Sequence, residues 1–157
     1  MIFLPICQNL CANHERCPMN HVEAEAFLRN MLVHINGVWI AHVPHGGASR
    51  EVEISIRGGQ NKPDEAQLTE AAACVASLAE IVPRMERALN SVPESDPLFP
   101  AIGVRSWSLE GLSFLGDDPA RCIASFALNE NGYDFIYVEY LVELERGQVV
   151  SVRARTY

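Results

Sequence analysis

Polar and apolar residues alternate along several short stretches of this chain, and elsewhere apolar residues recur at helical spacing. The alternation is clearest in residues 51–57, Glu-Val-Glu-Ile-Ser-Ile-Arg, where it places the three aliphatic residues on one face of a strand. Before it, Asn36-Gly37 separates two β-prone stretches within residues 33–43, and an Asn-Gly pair favours the tight turn of a hairpin. The first part of the chain therefore predicts three strands.

Apolar positions three and four residues apart predict two helices. Residues 23–32 are rich in strong helix formers and predict a short amphipathic helix. Pro63-Asp64-Glu65 favours the start of a second helix, whose apolar spacing runs from residue 68 to residue 82. Pro83 has no backbone donor and should kink this helix, which continues through residue 92. We expect one long kinked helix.

The last third of the chain predicts four strands joined by turn-like connectors: 105–114, 121–128, 134–144 and 149–156. Acidic residues of the third strand and arginines of the fourth share the exposed side, where they could form cross-strand pairs. The fold class is α+β: an antiparallel sheet of about seven strands packed against the long kinked helix, with the short N-terminal helix beside it. We expect one domain over residues 1–157, with a Cys/His-rich helical segment at 1–32 and the α+β core at 33–157.

Composition and charge narrow the class of partner. Of the 157 residues 48% are hydrophobic, and 20 acidic against 12 basic residues give a net charge of −8. This charge opposes binding to nucleic acid or to an anionic membrane and favours a basic protein, although it also serves solubility alone. The apolar start is too short for a signal peptide, and no run reaches the roughly 18 apolar residues of a membrane span. The odd number of cysteines, five, argues against the disulfide framework of a secreted protein. We expect a cytoplasmic protein with reduced thiols.

The densest group of reactive side chains lies near the N-terminus. A zinc ion takes four thiolate or imidazole ligands in a tetrahedron, and zinc is the only cofactor that the sequence suggests. The candidate ligands are Cys7, Cys11, Cys17 and His21. Two other interpretations stay open, namely thiols and imidazoles that bind no metal and a redox disulfide.

Motifs for catalysis fail on spacing. His34, His42 and His45 raise the question of a metal site or a small hydrolase, but solvated or hydrogen-bonded histidines are the commoner case. No G-x-S-x-G nucleophile elbow accompanies the two glycines after His45. Cys74 and Cys122 stand in apolar contexts that favour buried, inert thiols. We predict that the protein is not an enzyme.

Acidic residues in the predicted connectors give the candidate contact surface. Connectors at one edge of a sheet could gather their carboxylates into a negative patch, although such residues are also common turn formers. The predicted partner-binding residues are Glu94, Asp96, Asp117, Asp118, Glu130 and Asp134.

The strand at 52–56, the helix that opens at Pro63 and the closing strands at 133–138 and 147–152 form a recognisable layout. In this layout the chain, over roughly residues 33–157, resembles the small α+β immunity proteins encoded beside bacterial polymorphic toxins. The resemblance implies a protein that occludes a toxin's active site, and an acidic face would suit a basic toxin such as a nuclease. The alternative function is a zinc-stabilised adaptor or regulator that uses the N-terminal cysteines and histidine.

Overall fold

The structure is a computed structural model that describes residues 19–46, 50–129 and 138–157. Its helices are α1 (His21–Met31), α2 (Glu65–Ala76) and α3 (Leu78–Asn90), with a 3-10 turn at Ile102–Val104. Its strands are β1 (Val33–Ile35), β2 (Val38–Pro44), β3 (Glu51–Arg57), β4 (Trp107–Phe114), β5 (Arg121–Leu128), β6 (Val138–Glu145) and β7 (Gln148–Thr156). None of the described helices is long and apolar enough to cross a membrane.

The described strands form one seven-stranded sheet whose spatial order follows the chain from β1 to β7. The α+β class is thereby confirmed, but the sheet is not wholly antiparallel. β3 and β4 run parallel, from Glu53 opposite Gly111 to Ile56 opposite Phe114. Parallel neighbours need a crossover of a dozen or more residues, and α2 and α3 supply it.

The helical region between β3 and β4 is two helices, so the prediction of one long helix kinked at Pro83 is wrong. α2 ends at Ala76, α3 begins at Leu78, and Ser77 between them has φ −106° and ψ 11°. Pro83 lies inside α3. The backbone therefore changes direction before the proline, where each helix can turn its own apolar face towards the sheet.

The N-terminal helix α1 is longer than the short element predicted. Asn20 and Glu23 form a capping box, in which each side chain accepts a hydrogen bond of 2.9 Å from the backbone N–H of the other. This cap starts the helix at His21, two residues before the predicted segment, and its eleven residues are close to the average length of a helix. Ala24 and Leu28 are fully buried.

The helices cover one face of the sheet. A row of directly paired residues on that face is at most 2% exposed: Ala41, Ile54, Leu112, Ala124 and Val142. The adjacent row points to the opposite face and is mostly polar or small: His42, Glu53, Gly111, Ser125, Leu141 and Arg153. In the described part of the chain no helix packs on that opposite face, which we call the open face.

Candidate functional site

The four described residues among the acidic residues predicted to bind a partner lie in two separate places. Asp117 and Asp118 lie in the connector between β4 and β5, whereas Glu94 and Asp96 lie in the connector that precedes β4. The two pairs are therefore at opposite ends of a strand of eight residues, a length of about 26 Å at the usual rise per residue.

Glu94 and Asp96 use their carboxylates to hold backbone. Glu94 Oε1 accepts a hydrogen bond of 2.9 Å from the N–H of Ile102, and Asp96 Oδ1 accepts one of 3.0 Å from the N–H of Leu98. These are contacts typical of turn-forming acids. The two remaining predicted residues lie outside the described residues: Glu130 and Asp134.

At the other end of β4, two carboxylates from β6 join Asp118 around a single cation. Arg121 Nε lies 3.7 Å from Asp118 Oδ2 and 3.9 Å from Glu145 Oε1, and Arg121 Nη1 lies 3.2 Å from Glu143 Oε1. One guanidinium cannot neutralise three carboxylates, so this surface carries an excess of negative charge. We call Asp117, Asp118, Glu143 and Glu145 the acidic cluster.

Strand register builds the acidic cluster, which is why the sequence pattern missed two of its members. In the β5–β6 pair, Glu145 lies opposite Arg121 and Glu143 lies opposite Ile123. In the β6–β7 pair Glu139 lies opposite Arg155, with Glu139 Oε2 2.6 Å from Arg155 Nε, so one predicted cross-strand charge pair is confirmed. Glu143 lies opposite Ser151 instead of an arginine. The alternating charges predicted that Glu139 and Glu143 pair with arginines of the last strand, but no sequence feature indicated that Glu143 and Glu145 would lie beside Arg121 of β5.

Asp117 is the most accessible member of the acidic cluster. Its side chain is 95% exposed, and it pairs with Arg57 at the end of β3. The arginine is itself more than half exposed, and a pair of this kind is screened by water and contributes little to stability. The carboxylate of Asp117 is therefore available to a cation from another molecule.

Two hollows flank the connector that carries Asp117. The groove, of about 850 Å³, lies between this connector and residues 57–67. The recess, of about 250 Å³, lies on the other side and is lined in part by Leu115, Ile123 and Glu143. Asp117 lines both hollows. Leu115 is 42% exposed, so an apolar side chain lies next to the acidic cluster.

Gln67 of α2 fixes the position of the connector relative to β3. Its side chain is buried, its Oε1 accepts a hydrogen bond of 3.0 Å from the N–H of Arg57, and its Nε2 donates one of 2.6 Å to the carbonyl of Gly116. Asp64 caps α2 through a hydrogen bond of 3.0 Å from the N–H of Gln67. One side chain thus ties together the three segments that border the groove.

Gly58 shapes the loop on the far side of the groove. A Cβ atom at this position would lie 2.5 Å from the Cα of Pro63 and 2.6 Å from the carbonyl oxygen of Lys62. Both neighbours are backbone atoms, which cannot move aside cheaply. The loop can therefore close on itself only because residue 58 has no side chain.

The histidines considered for catalysis lie in different places. The ring of His34 packs at a tilt against Trp39, with the ring centroids 5.2 Å apart, whereas His42 lies on the open face with Nε2 3.8 Å from Glu53 Oε2. Ser55 Oγ donates a hydrogen bond of 3.0 Å to the same carboxylate. In a catalytic triad the imidazole stands between the hydroxyl and the acid, but here the acid stands between them. This arrangement does not supply a base for Ser55.

His45 follows β2 and interacts electrostatically with Glu86 of α3. Burial lowers the pKa of His45, and the Glu86 carboxylate opposes this shift to a smaller extent. The imidazole is therefore held in its neutral form to a lower pH than in the unfolded chain.

The predicted zinc ligands Cys7, Cys11 and Cys17 lie outside the described residues. His21, the fourth, is the first residue of α1, and its Nε2 lies 3.3 Å from the carbonyl oxygen of Thr69. Among the residues that the structure describes, no group of three or more histidine, cysteine or acidic side chains could hold a metal ion. The zinc site stays a prediction.

Comparison with known proteins gives no relative from which a function could be carried over. No protein family, curated protein or solved structure matches this chain. The charges and the shape of the surface around the acidic cluster are therefore the features that bear on function.

Proposed function

We propose that this chain is a protein-binding module, an immunity protein that neutralises a cognate bacterial toxin by occluding its active site. The observation that carries the proposal is the sharing of Arg121 by three carboxylates, 3.2 to 3.9 Å away, beside the exposed Asp117. A surface of this charge attracts a basic protein, and the net charge of −8 acts in the same direction over longer distances.

The shape around the acidic cluster suits a protein partner. A protein interface commonly has an apolar centre with a polar rim. Leu115, which is 42% exposed, supplies an apolar contact, and Asp117 and Glu143 line the same recess. The groove of about 850 Å³ on the other side of the connector has room for a loop or several side chains of the partner.

Occlusion requires binding and no chemistry. The active site of a toxin that acts on nucleic acid must attract phosphate, so it presents arginine and lysine side chains. The carboxylates of the acidic cluster would bind those cations in place of phosphate and so exclude the substrate. The partner expected on this basis is a basic toxin domain, for which a nuclease is the leading example.

The proposal is tested by co-expression with the toxin whose gene is expected immediately upstream. Growth of cells that express the toxin is measured with the wild-type chain and with the double variant Asp117→Lys, Glu145→Lys, which spares the turn-forming Asp118. The matched control is Glu80→Lys, which reverses an acidic side chain that is 76% exposed on α3. All three chains are first compared by thermal unfolding to establish that they fold.

The wild-type chain and Glu80→Lys should protect the cells, and the double variant should protect them poorly. Failure of the wild-type chain to protect would overturn the proposed function. Full protection by a folded double variant would retain binding but would overturn the assignment of the acidic cluster as the contact surface.

A further inference from the structure

The two edges of the seven-stranded sheet differ in their protection against pairing with another molecule. Proteins commonly protect an edge strand with charged side chains and bulges. β7 has both features, because Arg153 and Arg155 are charged and the register shift leaves Val150 without a partner in β6. At the other edge, the three described residues of β1 include no charged side chain and no bulge. No described strand pairs with the outer side of β1.

The turn between β1 and β2 directs free backbone groups of β1 outwards. Asn36 and Gly37 form a two-residue turn with positive φ at both positions, so the flanking Ile35 and Val38 are a hydrogen-bonded pair. Hydrogen-bonded and non-hydrogen-bonded pairs alternate along an antiparallel ladder. The next pair, which joins His34 to Trp39, is therefore not hydrogen-bonded. The N–H and C=O of His34 point away from β2 and are available to a strand that approaches this edge.

Aliphatic side chains accompany the free edge on the open face. Strand alternation places four of them side by side there, and we call them the edge patch: Val33, Ile35, Val38 and Ile40. The two on β1 are the more exposed, Val33 at 58% and Ile35 at 49%. Residues 30–49 contain no Asp, Glu, Lys or Arg, although charged residues make up 20% of the chain. A second copy can therefore approach without bringing like charges together, whereas a basic partner finds no carboxylate in this segment.

We infer that two copies of this chain pair through β1, with the two strands antiparallel and the two-fold axis at His34. This register pairs all three residues of β1 and lets the two His34 residues exchange two N–H···O=C hydrogen bonds. Val33 of each copy lies opposite Ile35 of the other on the open face, so the two edge patches form one aliphatic surface. Both copies use the same surface, and the protected β7 edge ends the assembly at two.

The contact is small, so the dimer is weak. A standard protein interface buries about 800 Å² on each partner, and a strand of three residues with its neighbours buries far less. Two backbone hydrogen bonds and one aliphatic surface therefore support association only at high protein concentration. The dimer should be in rapid exchange with the monomer.

Dimerisation leaves the acidic cluster free. Its strands begin at β5, which is four strand positions from β1 in the sheet, a distance of about 19 Å at the usual strand spacing. The two-fold axis also places the acidic clusters of the two copies at opposite ends of the joined sheet. Each copy can therefore bind its own partner. This self-association goes beyond the proposed function and does not depend on it.

Sedimentation equilibrium of the full-length chain from about 10 µM to about 1 mM tests the inference. The mean mass should rise with concentration from 17.4 kDa towards twice this value. Ile35→Lys should stay monomeric, because it places a charge from each copy in the edge patch. The matched control is Ile102→Lys, which changes the net charge equally at a residue that is 55% exposed in the 3-10 turn. It should associate like the wild-type chain.

Three outcomes would overturn the inference. The first is a wild-type chain that keeps the monomer mass over the whole range of concentration. The second is equal association of Ile35→Lys and Ile102→Lys, with both shown to fold by thermal unfolding, because the contact would then lie elsewhere. The third is a mean mass that rises beyond that of a dimer, because pairing through β1 closes at two copies.

The backbone of His34 gives a second readout. Proline is tolerated in an edge strand where its missing N–H would face solvent. His34→Pro should therefore fold but dimerise more than about ten-fold more weakly than the wild-type chain, since both hydrogen bonds between the copies use residue 34. In the wild-type chain the amide of His34 should exchange with solvent more slowly at about 1 mM than at about 10 µM. Exchange at His34 that is independent of concentration in a chain that dimerises would contradict pairing through β1.

Discussion

Replacing Gln67 by leucine should loosen the end of the sheet that carries the acidic cluster. The side chain is 3% exposed and makes two hydrogen bonds, to the N–H of Arg57 and to the carbonyl of Gly116. Leucine has a similar size but satisfies neither group. A buried polar group left without a partner costs about 1–3 kcal/mol, and water can partly replace the partner of the exposed Gly116, so we expect a loss of about 2–4 kcal/mol.

Urea unfolding at neutral pH measures this loss directly. The midpoint should fall without a change in slope, and the melting temperature should drop by about 5–15 °C for a chain of this size. Gln60→Leu is the matched control because Gln60 is exposed in the neighbouring loop, and it should change stability by less than about 0.5 kcal/mol.

Hydrogen exchange separates a local effect from a global one. In Gln67→Leu the amides of residues 115–118 and of Ala120 should exchange faster than global unfolding alone explains, because the connector has lost its hydrogen bond to α2. The reasoning is refuted if Gln67→Leu is no less stable than Gln60→Leu, since the two hydrogen bonds would then contribute nothing.

Three further predictions concern other parts of the fold. Gly58→Ala should lower the free energy of unfolding by about 2–4 kcal/mol in a thermal or urea unfolding experiment, because the new Cβ meets backbone atoms. Gly59→Ala is the control and should be nearly neutral, because the space around its Cβ position is open. Equal losses of stability in the two variants would contradict the loop geometry. Met85→Ala should cost about 2–5 kcal/mol in the same experiment because its side chain is fully buried in the core, and a loss below about 1 kcal/mol would count against this packing. Burial lowers the pKa of His45, so below about pH 6.5 the unfolded chain binds more protons than the folded chain and the free energy of unfolding should fall as pH falls. Urea unfolding between about pH 5.5 and 7.5 should show a weaker pH dependence of stability in His45→Gln than in the wild-type chain. An unchanged pH dependence would exclude His45 as its source.

The elements with strong local signals could be predicted from the sequence. The strand at 121–128 has the predicted bounds, and the Asn36-Gly37 turn joins β1 to β2, with both residues at positive φ. Both features depend on neighbouring residues, because alternation and turn chemistry operate within a few positions. Such signals locate an element whatever it later packs against.

Features that depend on tertiary packing could not be predicted in this way. The kink was predicted at Pro83 because proline is the strongest local helix breaker. The two helices instead separate at Ser77, so that each packs independently against the sheet. The parallel pairing of β3 with β4 depends on how the two crossover helices pack on the sheet, since their packing determines where β4 begins. Tertiary contacts decide both outcomes.

The acidic cluster shows the same division. Asp117 and Asp118 were predicted because they stand in a connector, but Glu143 and Glu145 lie within a strand and reach the cluster only through the β5–β6 register. Register depends on pairing between strands and on bulges, neither of which the spacing of charges reveals. The sequence therefore indicated two of the four residues of the acidic cluster.

The most direct test of the central claim is a calorimetric titration of the purified chain with the toxin domain whose gene is expected upstream. The wild-type chain is compared with the double variant Asp117→Lys, Glu145→Lys. We predict a tight one-to-one complex whose dissociation constant rises with salt, and a loss of about 100-fold in affinity for the double variant. Absence of binding by the wild-type chain would contradict the proposed function. Equal affinity of the two folded chains would contradict the role of the acidic cluster in binding.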